Sequence, residues 1–106
     1  MTLPLTITFL RLERTGDLES SARDMGSRLF RLNGRIAACH IALEGKLDEH
    51  GDLRQYEVKI HLSIPGAQIH ADSREGHSEA RDAFRAAYED ARRQLNRVQR
   101  HGAITG

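Results

Sequence analysis

Hydrophobic and polar positions recur along this chain with two periods, and each change of period marks a new element. Leu5-Thr-Ile-Thr-Phe9 alternates with period two, which predicts a strand with one buried face. Thr15 and Asp17 then supply helix start signals. Leu18, Ala22, Met25, Leu29 and Leu32 follow at i, i+4, i+7, i+11 and i+14, a single apolar stripe. Gly34 is the expected stop, in the C′ position. Gly26 costs about 1 kcal/mol relative to alanine inside a helix, so this helix must lean on packing.

Ile36 to Leu43 is apolar enough to predict a second, central strand. Gly45 to Leu53 reads as a polar, mostly acidic loop. Tyr56, Val58, Ile60, Leu62 and Ile64 alternate with Glu57, Lys59, His61 and Ser63, the clearest strand in the chain. Pro65-Gly66 is a turn by its chemistry, since proline presets φ and glycine accepts positive φ. Gln68 to Asp72 continues the buried face through Ile69 and Ala71. Ser78 is placed to open a last helix, in which Phe84, Tyr88, Ala91, Leu95 and Val98 repeat the spacing of the first; Gly102 is its expected end.

The element order is thus β-α-β-β-β-α. Two one-sided helices and alternating strands predict an α+β fold: a four-stranded, antiparallel-rich sheet with both helices on one face. The other face would present Thr6, Thr8, His40, Lys59, His61, Gln68 and His70 to water. A length of 106 residues, 39% hydrophobic and 29% charged, fits one soluble globular domain spanning 1–106. No apolar run approaches the roughly 20 residues of a membrane span, and the N-terminus lacks the basic region and cleavage site of a signal peptide. Cys39 is the lone cysteine, expected as a small buried hydrophobe, and a reducing cytoplasm is the simplest home.

Charge changes the picture more than composition does. The formal net charge is only +1, yet residues 1–24 sum to −1, 25–43 to +3, 44–90 to −5 and 91–106 to +4. Segregated signs create a local positive field that the total hides, and polyanions are what such a field attracts. Arg28, Arg31 and Arg35 fall on one flank of the first helix. On the last, Arg81, Arg85 and Arg92 flank the apolar stripe, while Arg93, Arg97 and Arg100 sit opposite it. Helices lying side by side would join the two groups in one basic groove. Ordinary dipole complementarity at helix ends is the competing explanation.

Six histidines raise the question of a metal site. A two-residue turn at Pro65-Gly66 sets His61 opposite His70, and pairing Ile41 with Ile60 sets His40 beside His61. Three imidazoles in a row would suit zinc with an open position, although no cysteine or carboxylate spacing supports such a site. No Gly-rich phosphate loop, HExxH or Gly-x-Ser-x-Gly occurs, and Cys39 and His40 point to opposite strand faces. The expectation is a non-enzymatic chain without a cofactor.

Pro65-Gly66-Ala67-Gln68-Ile69-His70-Ala71 and Ala91-Arg92-Arg93-Gln94-Leu95 carry a likeness that extends over nearly the whole length. In these segments and in its element order, the chain resembles the ribosome hibernation-promoting factors, also called ribosomal subunit interface or sigma-54 modulation proteins. The resemblance implies a fold similar to double-stranded RNA-binding domains. It further implies binding to the small ribosomal subunit, in the channel of messenger and transfer RNA, with silencing of idle ribosomes. By position it carries contact with ribosomal RNA to Arg28, Arg93, Arg97 and Arg100; Arg31 and Arg92 complete the expected RNA-binding set. The short form, without a further dimerisation domain, is expected, monomeric off the ribosome and with no membrane or small-molecule substrate as partner. A stand-alone regulator of structured RNA, or less readily a histidine-row metal protein, is the alternative.

Overall fold

The computed structural model describes residues 4–105, with side chains for residues 4–98. The elements are β1 (Leu5–Leu10), α1 (Gly16–Leu32), β2 (Ala38–Leu47), β3 (Leu53–Ile64), β4 (Ala67–Asp72) and α2 (Ala80–Thr105). The strands lie in the order β1-β2-β3-β4, with β1 parallel to β2 and the other neighbours antiparallel. One face of the sheet is covered by both helices. Between them, Met25 and Leu29 of α1, Ile41, Leu43, Val58, Ile60 and Leu62 of the sheet, and Phe84 and Leu95 of α2 form a closed apolar layer.

Local chemistry explains where α1 begins and ends. The Thr15 hydroxyl accepts from the Leu18 N–H, and Asp17 and Glu19 lie in the first turn, where the dipole favours anions. The stop differs from the expected glycine cap. Asn33, in an extended conformation, closes the helix by donating its N–H to the Leu29 carbonyl, while its side chain accepts from the Arg35 N–H. Leu32, expected in the buried stripe, is 40% exposed on this last turn. Gly26 repays its low propensity in packing: a Cβ there would stand 2.9 Å from both Leu5 methyls, so its absence lets β1 seat under the helix.

The segment expected to be a loop from Gly45 is largely strand. β2 starts at Ala38 and runs on through Gly45 and Lys46 to Leu47, with a register shift between Lys46 and Leu47, leaving only residues 48–52 as loop. Glycine is required at 45 because a Cβ would lie 2.5 Å from the Arg11 carbonyl oxygen. At the other end of the sheet Gly66 takes φ 82°, the conformation anticipated after Pro65. α2 begins two residues past Ser78, where the Glu79 carbonyl accepts from Asp82 and Ala83, and it continues beyond Gly102 to Thr105.

The connections fix direction. Asp90 accepts from the Asp72 N–H and Gln94 donates to the His70 carbonyl, so α2 descends along β4 as its own numbering rises. α1, linking two parallel strands, must also run back against them. Both helices therefore end at the edge of the sheet that carries Pro65-Gly66. Both begin at the edge that carries the β2–β3 loop.

Candidate nucleic-acid interface

That topology sorts the charges. Arg31 and Arg97 lie on later turns of the two helices, toward the Pro65-Gly66 end of the sheet, whereas Arg28 is a turn earlier in α1 and Arg92 and Arg93, next to Asp90, sit at mid-length of α2, near the Asp72 end of β4. All five are exposed. The Arg100 side chain lies outside the described residues. At the opposite end, Asp48, Glu49 and Asp52 form the β2–β3 loop, with Asp17 and Glu19 in the first turn of α1 and Glu79 and Asp82 at the start of α2.

Three of the arginines have carboxylate neighbours on their own helix. Arg28 lies 3.4 Å from Asp24, Arg92 2.6 Å from Glu89, and Arg93 3.6 Å from Asp90. The hydrogen bond to Glu89 pushes the Arg92 pKa further up, so it stays a cation. Exposed pairs of this kind are worth about 0–1 kcal/mol. A phosphate oxygen in bidentate contact with guanidinium competes readily with them. Arg31 and Arg97 meet no carboxylate among the described residues and need no exchange of partner.

The anticipated basic groove takes a different form. A cleft of about 400 Å³ does separate the helices, lined by Ser21, Asp24, Met25 and Arg28 of α1 and by Arg81, Phe84, Arg85, Tyr88 and Glu89 of α2. Of the expected RNA-binding residues only Arg28 reaches it. Arg31, Arg92, Arg93 and Arg97 lie outside the cleft. Arg81 and Arg85, absent from the expected set, are its other cations. Their signal was present in the sequence, since both flank the apolar stripe of α2, the side from which a neighbouring helix is approached.

On the open sheet face the register is as anticipated: His40 pairs with His61 and His61 with His70. The His61 and His70 rings stack at 4.3 Å with an interplanar angle of 9°. His61 Nε2 lies 2.9 Å from Gln68 Oε1, and His40 Nε2 lies 2.8 Å from Thr8 Oγ1. Stacked rings send their in-plane lone pairs side by side, whereas a metal needs them convergent. Among the described residues no three potential ligands are grouped for a metal ion.

A four-stranded mixed sheet under two helices, with exposed arginines along the middle and later turns of both, defines the class of module. The sequence matches the family of sigma 54 modulation protein / S30EA ribosomal protein over residues 5–101, and the chain belongs to that family. Its fold is similar to a ribosomal subunit interface protein from Coxiella burnetii, with TM-score 0.70 and 14% identity over 90% of this chain and 96% of the other. It is also similar to the Protein Y N-terminal domain of Thermus thermophilus, with TM-score 0.65 and 16% identity over 92% and 99%. No curated protein matches the chain by sequence. Among the described residues no helix is long and apolar enough to cross a membrane.

Proposed function

We propose that the chain is a ribosome hibernation factor that docks on small-subunit ribosomal RNA, in the channel of messenger and transfer RNA, and blocks translation on idle ribosomes. It acts in the cytoplasm as a monomer until docked, without catalysis. The contacts are made by Arg28, Arg31, Arg92, Arg93, Arg97 and Arg100 to phosphate oxygens, so that shape rather than base sequence selects the site. The observation that carries this reading is the run of exposed arginines along the middle and later turns of both helices, Arg28, Arg31, Arg92, Arg93 and Arg97, with the acidic β2–β3 loop at the far end of the sheet. Membership of a ribosome-associated family supports the choice of polyanion.

The test uses stationary-phase lysate on a low-salt gradient. The wild type is expected to sediment with small subunits or whole ribosomes. Replacing Arg93, Arg97 and Arg100 by glutamine should abolish most of that association while the melting temperature holds, because Arg93 and Arg97 are exposed and surface substitutions usually change stability within about 0.5 kcal/mol each. A wild type that stays at the top of the gradient contradicts the ribosomal reading and leaves a regulator of another structured RNA. Parallel loss of stability and binding would assign these arginines to the fold.

A further inference from the structure

The cleft between α1 and α2 combines Arg28, one of the proposed phosphate contacts, with groups that phosphate contacts alone do not use. Arg28 enters from α1 and Arg85 from α2, Asp24 and Glu89 stand on the same walls, and Ser21 and the half-buried Tyr88 complete them. A site for bare phosphate gains nothing from two carboxylates, which repel it. A docking groove for an apolar helix gains nothing from so many charges. Cations, carboxylates, a hydroxyl and an aromatic ring within about 400 Å³ are groups that a ribonucleotide uses together. Guanidinium binds its phosphate oxygens, carboxylate accepts from its ribose hydroxyls, and the ring stacks on its base.

We propose that this cleft binds one ribonucleotide unit, with the phosphate on Arg28 and Arg85, the ribose hydroxyls on Asp24 or Glu89, and the base against Tyr88. Asp24 is engaged by Arg28 at 3.4 Å and Glu89 by Arg92 at 2.6 Å. Each carboxylate keeps lone pairs for a hydroxyl. Arg85 meets no carboxylate among the described residues, whereas Arg81 on the same wall is held by Glu79 at 3.0 Å. Arg85 is therefore the cation most open to an incoming phosphate. The nucleotide is either a free ribonucleoside phosphate or an unstacked nucleotide of bound RNA. Only the second source rests on the ribosomal reading.

The experiment titrates the full chain with GMP and AMP and follows the Tyr88 ring by NMR, with Tyr56 as the internal reference. Saturable binding at about millimolar or tighter is expected, stronger than that of dGMP or inorganic phosphate. Arg85→Gln should weaken it roughly tenfold or more, and Arg23→Gln, a cation of α1 outside the cleft, should not. If free nucleotides leave Tyr88 unmoved, the RNA source requires two results. Arg85→Gln must lower ribosome affinity by a similar factor, and Tyr88 must crosslink to RNA under ultraviolet light. Failure of both arms overturns the proposal. A wild type that binds GMP but no ribosomes would keep the cleft and remove the ribosomal reading.

Discussion

Asp48 shows how a single side chain closes the β2–β3 loop. It accepts from Arg54 Nε at 2.8 Å and from the backbone N–H groups of His50 and Asp52, each at 2.9 Å. Arg54 first, then the backbone donors, favour the charged form and hold the carboxyl below the usual carboxylate range. A depressed native pKa contributes stability that is present above the unfolded-state value and is lost as pH falls through the native one. The loop should therefore stay closed through the ordinary carboxylate range and loosen only under stronger acid. The check is a carbon NMR titration of the Asp48 carboxyl, whose midpoint should lie below that of an aspartate in a short peptide and rise in Arg54→Gln. A midpoint unmoved by that substitution would remove Arg54 from the account. Cys39 illustrates the opposite environment, where burial pushes the thiol up to about 12 and leaves it a packed hydrophobe at neutral pH.

Among the elements, α2 has the most specific attachment, and Asp90 makes it. This side chain is only 8% exposed, accepts from the Asp72 N–H, and lies 3.7 Å from Arg74 and 3.6 Å from Arg93. Asp90→Ala would leave a part-buried N–H without a partner, a loss of about 1–3 kcal/mol. Arg93→Gln would remove an exposed cation 3.6 Å from Asp90 and leave the Asp90 bond to the Asp72 N–H in place. Thermal melts of the two variants should separate clearly, with Asp90→Ala well below wild type and Arg93→Gln close to it; equal melting temperatures would show that Asp90 does not tie α2 to β4. Element order, sheet faces and the register of His40, His61 and His70 were legible because strand alternation and the Pro65-Gly66 turn act locally. Boundaries were less so. Gly45 has the chemistry of a loop, and only the approach of the Arg11 carbonyl, 34 residues earlier in the chain, makes it a strand residue. Leu32 matched the stripe, yet its burial depended on what covers the last turn of α1. The cleft residues Arg81 and Arg85 were legible as stripe flanks, but their meeting with Arg28 depends on the distance between two helices.

For the whole molecule, the question is whether the acidic end would weaken the proposed binding of RNA through the helix arginines. The principal axes measure 54 × 30 × 18 Å, and α2 alone, with 26 residues, rises about 39 Å. The Debye length is about 8 Å at physiological ionic strength, so charges at opposite ends are separated by several screening lengths. The acids of the β2–β3 loop would thus be nearly silent toward RNA docked on the helix arginines, and the low net charge would not measure the proposed binding surface. Two consequences can be read from one salt series of ribosome-binding affinities. If about five arginines neutralise phosphates, affinity should fall with a log–log slope of very roughly −3.5 to −4.5. Reversing the acidic end with Glu49→Lys and Asp52→Lys should leave that slope unchanged and alter affinity at physiological salt by less than roughly twofold. The effect should grow only as ionic strength falls and screening lengthens toward about 30 Å. Tightening by an order of magnitude at physiological salt would mean that the acidic loop itself faces RNA. A slope near zero would replace the phosphate contacts with an apolar protein interface.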